Sequence, residues 1–454
     1  MLVYFVNHSV APKNLGGAER SMIKLVEDWY ATDPDFEAHF ITKAPRGQFI
    51  AAIEERGWSY TAYRYRGWTI PKADPPLSEI TYFAREDYAA TLQIIELMEK
   101  RRPDLVVTNT IVAPWGAFAA KVLGIPHAWF VREYGDLDHG LAFQLGRRQV
   151  FEDIGLLSEA VFTNSLALKA HIGQYLDESR VTVVYPSVDV ARLENLAAEA
   201  PARDPFPGAL PGELKLTVVG RLSDSKGQWR VVDALGALAA RGVAARLCLV
   251  GSWEAPGYDM QLVDRARELG VADRLTIAGE QSNPFPFVAA ADVCVTPSGI
   301  EAFGRTTLEY MLLGKPVVAG NTGGSAELVD EGVTGFHFDP DQNGSLADAL
   351  LRFRLDDDSV PRLGAAGRER AHSFTHSDFS NAAAIERLVR TAGVEQPYRL
   401  PQFARHWFSL PGAFTRMHQQ SPSMTLSFIA TRLRSRAARL VKSPIATIRR
   451  KLSR

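Results

Sequence analysis

A chain of 454 residues with 46% hydrophobic, 23% charged and 10% aromatic side chains is too long for one ordinary core and too apolar for wholesale disorder. Its formal net charge of −1 hides a division: the stretch from Gln396 onward has twelve Lys/Arg and no Asp/Glu, leaving 39 basic against 52 acidic side chains before it. Cys248 and Cys294 sit in apolar runs and read as reduced, buried thiols, and neither a long apolar span nor a basic secretion leader is present, so a cytoplasmic protein is expected.

Through residues 1–205, short apolar runs alternate with amphipathic stretches. Strands are expected at Val3–Asn7, Glu37–Thr42, Ser59–Tyr65, Asp104–Asn109, His127–Val131, Ala160–Asn164 and Val181–Tyr185. Helices are expected at Ala18–Tyr30, Glu86–Arg101 and Ala113–Leu123. Pro201, Pro205, Pro207, Gly208, Pro211 and Gly212 then break the pattern as a linker. A second series follows, with strands at Lys215–Val219, Arg246–Val250, Arg274–Ala278, Asp292–Thr296, Pro316–Ala319 and Gly335–Phe338. The alternation predicts an α/β protein of two Rossmann-like, doubly wound parallel domains, at 1–205 and 206–375, facing a central cleft. A helix near Ser377–Thr391, within a segment 376–395 that returns toward the first domain, and a basic tail at 396–454 complete the expected order.

Polar residues gather where these strands end. Glu301 and Glu309 stand eight positions apart around Gly304, followed by Gly314-Lys-Pro316 and by Gly323-Gly324-Ser-Ala-Glu327. A glycine turn opening a helix at Gly304 would point the main-chain N–H groups of Phe303, Gly304 and Arg305 at an anion. In Val218-Val-Gly220-Arg221 a strand ends on a cation, and Lys226 follows five residues later. Two fixed cations stabilise the charge that develops on a departing diphosphate more than they stabilise the ground state. Near the start, Gly16-Gly17-Ala-Glu19 follows the first strand and opens a helix, which lets a phosphate approach the backbone closely. With Arg221 and Lys226 available to take up the charge of the departing diphosphate, no metal is expected.

The run Pro297-Ser298-x-x-Glu301-x-Phe303-Gly304-x-x-x-x-Glu309-x-x-x-x-Gly314-x-Pro316, with the two-domain order, resembles glycosyltransferase family 4, the retaining nucleotide-sugar transferases of the GT-B fold. The likeness covers roughly residues 1–393 and is looser in the first half. It implies that Glu301 accepts from donor-sugar hydroxyls, that Glu309 grips the ribose, and that Arg221 and Lys226 neutralise the diphosphate without a metal. It also implies that Gly16, Gly17 and the backbone of 303–305 line the diphosphate, with Glu280 at the level of the base. The nucleotide sugar is then a co-substrate and no cofactor is needed.

One departure stands out. Where many members end a strand on histidine after Gly-x-Pro, this chain reads Gly124-Ile-Pro126-His127-Ala-Trp-Phe-Val-Arg132-Glu133. Arg132 stays protonated and cannot act as a base, which fits the family mechanism in which the departing phosphate oxygen takes the acceptor proton. Arg132 and Glu133 become the acceptor-side candidates, and His127, at the strand's other end, is expected to be structural. Tyr185-Pro-Ser-Val-Asp189 replaces a frequent Pro-Asn-Gly-Val-Asp.

Residues 424–452 place Phe428, Leu433, Leu440, Val441 and Ile445 among eight Arg/Lys, with Pro444 as a break. Such a segment reads as an amphipathic anchor for an anionic membrane surface, and sparse aromatics argue against nucleic acid. The expected function is transfer of a hexose to a saccharide or lipid-linked acceptor in cell-surface glycan synthesis, at the inner face of the membrane. A nicotinamide-dependent oxidoreductase is the alternative enzyme, disfavoured because neither first strand is followed by Gly-x-Gly-x-x-Gly. A non-catalytic scaffold is the alternative outside enzymes.

Overall fold

The computed structural model describes residues 1–11, 15–70, 77–143, 146–356 and 358–375; the expected helix at 376–395 and the basic tail lie outside them. In chain order the strands are β1 (Leu2–Asn7), β2 (Glu37–Thr42), β3 (Ser59–Ala62), β4 (Thr69–Ile70), β5 (Leu105–Thr108), β6 (His127–Val131), β7 (Ala142–Phe143), β8 (Ala160–Thr163) and β9 (Val181–Val183). There follow β10 (Leu214–Val219), β11 (Ala245–Val250), β12 (Leu275–Gly279), β13 (Val293–Thr296), β14 (Val317–Gly320) and β15 (Gly335–Phe338). They form a seven-stranded sheet, β3-β2-β1-β5-β6-β8-β9, and a six-stranded sheet, β12-β11-β10-β13-β14-β15, while β4 and β7 make a small antiparallel ribbon.

Every pairing within the two large sheets is parallel. Parallel strands need helical crossovers, which cover both faces and explain the near-continuous apolar runs. In β1, Val3 and Phe5 enter one core with Trp29, Phe40 and Phe49. Tyr4 and Val6 enter the other with Trp68 and Trp129, as the two-residue side-chain period demands. In the second sheet Leu247 and Leu249 face one core, whereas Cys248 and Val250 face its opposite. Both cysteines are buried and free, and burial raises their thiol pKa values, as expected for inert core thiols.

The differences from expectation fall at strand ends, in the ribbon of β4 and β7, which was not expected, and at the helix expected from Glu86, which starts at Leu77. The strand expected to reach Tyr65 stops at Ala62, whose partner Thr42 is the last residue of β2, and beyond it Tyr65 donates its hydroxyl to Asn7 O at 2.6 Å. The strand expected to reach Tyr185 stops at Val183, and the Tyr185 hydroxyl crosses to Glu327 in the other half. Helix Val190–Ala197 precedes residue 205 in the chain, yet it buries Leu193 among the side chains of the second sheet.

In both sheets the first strand in sequence lies centrally, flanked by the second on one side and the fourth on the other, leaving aside the small ribbon. Successive connections therefore leave that point in opposite directions and open a crevice at the strands' carboxyl ends. In the second sheet the crevice lies between the loops after β10 and β13.

Candidate functional site

Those two loops meet. The chain after β10 makes a short turn at Asp224–Lys226 that ends on Gly227, whose φ is +71°. A Cβ at Gly227 would lie 2.3 Å from Pro297 O, so only glycine allows the loop to come this close. The approach sets Lys226 Nζ 2.6 Å from Glu301 Oε1, and Ser298 Oγ donates to the same oxygen at 2.6 Å. Both bonds converge on Oε1, which leaves Oε2 outside them. Burial raises the Glu301 pKa, but the Lys226 charge and the bonds from Lys226 and Ser298 outweigh it and hold the carboxyl below its ordinary range.

Gly304, φ +87°, starts helix Arg305–Leu312 without a side-chain cap. Its missing Cβ would stand 2.5 Å from Ser325 Oγ. One turn along, buried Glu309 accepts from Arg305 Nε at 3.0 Å. Arg305 also reaches across the crevice: its guanidinium lies 3.5 Å from Ser21 Oγ, and its Cδ would be 3.7 Å from a Cβ on Gly17. Helix Gly17–Thr32 likewise begins without a side-chain cap, on Gly16. Two helix N-termini that start on glycine thus face one space from opposite halves, with Glu19 folded back over the start at Gly16.

On the first sheet, β6 ends and presents half-buried Arg132 and Glu133. Arg132 Nε donates to Asn109 Oδ1 at 2.5 Å, while the Asn109 amide donates to Ala18 O at 3.3 Å. Burial pulls the Arg132 pKa down to about 10, so it stays cationic near neutrality. Glu133 accepts from Ile111 N–H at 3.1 Å, and burial pushes its pKa up to about 7. His127 is buried at the far end of the strand, its ring nitrogens 2.8 Å from Thr108 Oγ1 and 2.9 Å from Ser158 Oγ. Burial lowers its pKa to about 3, so it is a neutral core residue.

A sequence model described as Glycosyl transferases group 1 matches residues 203–370, and one described as Glycosyltransferase Family 4 matches residues 15–192. The chain is a family 4-like glycosyltransferase. Similar proteins include the D-inositol 3-phosphate glycosyltransferase of Nocardia farcinica, 30% identical over 60% of this chain and 62% of that protein. The lipopolysaccharide core biosynthesis mannosyltransferase LpsB of Rhizobium meliloti is 31% identical over 44% of this chain and 57% of its own length. The matches thus span less than two thirds of these curated relatives. Among solved structures, Anabaena HepE in complex with UDP superposes with a TM-score of 0.68 at 23% identity, over 86% of this chain and all of that one, and shares the GT-B fold.

Within that family 4 frame, Glu301, Lys226, Gly304, Arg305, Glu309, Gly16 and Gly17 converge on one crevice. Arg221 is paired with a different carboxylate: its Nη1 is 3.4 Å from Glu254 Oε1, and both side chains are about half exposed. Phe303 is buried, so only its backbone is available to a ligand, and Glu280 is exposed just beyond β12. Among the described residues no group of His, Cys, Asp and Glu is placed to hold a metal, and no helix is long and apolar enough to cross a membrane.

The sequence reading missed the clasp between the halves. Glu327 accepts from Leu166 N at 2.8 Å and from the Tyr185 hydroxyl, and Ser165 Oγ donates to Ala302 O at 2.5 Å. Its one sequence signal was Glu327 itself, three residues after Gly324.

Proposed function

We propose that this chain is a retaining, metal-independent hexosyltransferase that uses a nucleotide-diphosphate sugar and a saccharide or lipid-linked acceptor. The observation that carries the reading is the Lys226–Glu301 contact at the carboxyl edge of the second sheet, beside the uncapped start of helix Arg305–Leu312. Glu301 Oε2 accepts from donor-sugar hydroxyls, and Glu309 takes the ribose hydroxyls when Arg305 yields. Lys226, Arg221 and the N–H groups around Gly304 take up the charge of the leaving diphosphate.

In the reaction the bond from the anomeric carbon to the phosphate oxygen breaks, and the acceptor oxygen bonds to that carbon on the same face. The acceptor proton passes to the departing phosphate oxygen, so no protein base is required and Arg132 is compatible with turnover. Arg132 and Glu133 orient the acceptor, and closure about the linker at 201–212 limits donor hydrolysis. The names of relatives support a glycan or lipid-linked acceptor, among them a phosphatidylinositol monomannoside mannosyltransferase of Mycobacterium tuberculosis. The basic tail would hold the enzyme at an anionic, cytoplasmic membrane face.

The test is a binding and donor-hydrolysis screen over uridine-, guanosine- and adenosine-diphosphate sugars, with Glu309→Ala and Lys226→Ala as controls. At least one donor should bind and lose affinity in both variants; no binding by any of them would leave the scaffold reading. Turnover abolished by a chelator and restored by magnesium or manganese would refute metal independence.

A further inference from the structure

Glu301 belongs to the second half of the chain, but its neighbours are seated in the first. Ala302 is buried in the core that holds Tyr4, Val6 and Trp129 on the first sheet, and Ile300 packs against the same cluster. Between them the Glu301 side chain turns back to Lys226 and Ser298 in the second half.

Two consecutive carbonyls fix this segment from opposite sides. Glu301 O accepts from Gly324 N in the second half at 2.7 Å, and Ala302 O accepts from Ser165 Oγ in the first half at 2.5 Å. Gly323 and Gly324 allow the close approach: a Cβ on Gly324 would lie 2.5 Å from Phe303 Cα, and one on Gly323 would lie 2.3 Å from Glu301 O. Ser165 is fully buried and caps helix Leu166–Gly173, its oxygen accepting from Leu168 N at 3.0 Å. A hydroxyl has one hydrogen to give, and here Ala302 O takes it. The next residue, Leu166, gives its N–H to Glu327 of helix Gly323–Leu328. One helix start in the first half therefore holds both the loop after β13 and the helix after β14.

The Glu301 carboxylate is thus oriented by the second half, whereas the main chain that carries it is anchored on the first. Parting the halves would remove the Ser165 bond together with the packing of Ile300 and Ala302. Lys226 and Ser298 would then hold Oε1 of a residue whose backbone is no longer fixed, and a loosely supported group loses the geometry that catalysis needs. Being buried, Ser165 acts on a ligand only through Glu301.

On the glycosyl-transfer reading, we propose that Ser165 is a positioning residue for the donor sugar: its bond to Ala302 O sets Glu301 in place only while the two halves are seated on each other. The nucleotide meets Glu309 and the helix start at Gly304, both in the second half, and is indifferent to this bond. The sugar is gripped only when the halves close, so a donor held by an open enzyme is kept from the geometry in which its anomeric bond breaks.

The test is calorimetric titration of the full-length chain with UDP and UDP-glucose, and with GDP and GDP-mannose. Glycine is itself an accepted N-cap, so Ser165→Gly removes the hydroxyl and spares the helix start. It should weaken the nucleotide sugar about tenfold and leave the bare nucleotide within about twofold of the parent. Ser165→Thr, which keeps the hydroxyl, should recover most of the loss, and unchanged nucleotide affinity shows that the variants fold. Nucleotide and nucleotide sugar weakened alike would mean a structural role only and overturn the proposal, as would sugar binding that Ser165→Gly leaves intact. Denaturant midpoints give a readout without ligand: the shifts of Ser165→Gly and Glu301→Gln should sum to more than the shift of the double variant, because the hydroxyl holds Glu301 against Lys226. Additive shifts overturn the proposal. If the parent binds neither nucleotide, the transfer reading fails by itself; in that case, or where the parent gains nothing from either sugar, the midpoints alone decide whether Ser165 positions Glu301.

Discussion

Replacing Lys226 by Met keeps most of the side-chain stem and deletes its charge. Glu301 would retain the Ser298 bond at 2.6 Å and lose the ammonium at the same distance. An exposed ion pair contributes about 0–1 kcal/mol, while breaking a fully buried one costs about 3–5 kcal/mol. Here the side chains are 24% and 17% exposed, so solvent screens part of the interaction, and the expected loss near neutral pH is about 1–3 kcal/mol. The sign of the pH dependence follows from the Glu301 carboxyl. In the parent its folded pKa is depressed, so its stabilising effect is present above the unfolded value and lost as pH falls through the folded value. In Lys226→Met burial is no longer outweighed, the folded pKa rises above the unfolded value, and stability is lost as pH rises through it. The gap between parent and variant should therefore be widest near neutrality and narrow in acid. Denaturant midpoints at neutral and acidic pH read this directly, and adding Glu301→Gln should recover stability without recovering donor binding. A gap below about 0.5 kcal/mol at neutral pH, or one that widens in acid, would refute the reasoning.

Other substitutions test the remaining parts of the site. Gly304→Ala should cost about 1–2 kcal/mol for the left-handed backbone alone and reduce nucleotide affinity as the helix start shifts; adding Ser325→Gly should recover only part, read by melting and by titration. Glu327→Ala strips the acceptor from Leu166 N–H and the Tyr185 hydroxyl, with an expected loss of about 1–3 kcal/mol and a larger radius of gyration by X-ray scattering in the absence of donor. Stability should fall as pH rises from the ordinary carboxylate range through about 7, since burial holds the folded pKa values of Glu133 and Asp87 up near that value. Glu133→Gln should flatten that slope in part, because Asp87 keeps its share; an unchanged slope in melting scans across this range would exclude Glu133 from the titration.

Strand runs, the parallel character of both sheets and the helix opening at Gly304 were all legible in the sequence, because each depends on local chemistry. A two-residue or helical period records which faces are buried, and a glycine where φ must be positive marks its own turn. The spacing of Glu301 and Glu309 could be read for the same reason: both flank one short helix start. Strand ends were harder to read, since β3 stops at Ala62 where its partner β2 runs out at Thr42, and Tyr65 then bonds Asn7 O on a different strand.

What only the tertiary structure decided are contacts between residues far apart in the chain. Lys226 meets Glu301 across 75 positions, Arg305 approaches Ser21 across 284, and Glu327 closes on Leu166 across 161. Local periodicity carries no record of such pairs, because they follow from strand order and from the point where the connections reverse. The sequence by itself determined most strands of the two large sheets, the resemblance to the family and the residues that carry the charges. The tertiary structure decided which carboxylate each cation faces, because close approach of the loops after β10 and β13 exists only once both strands lie side by side in one sheet.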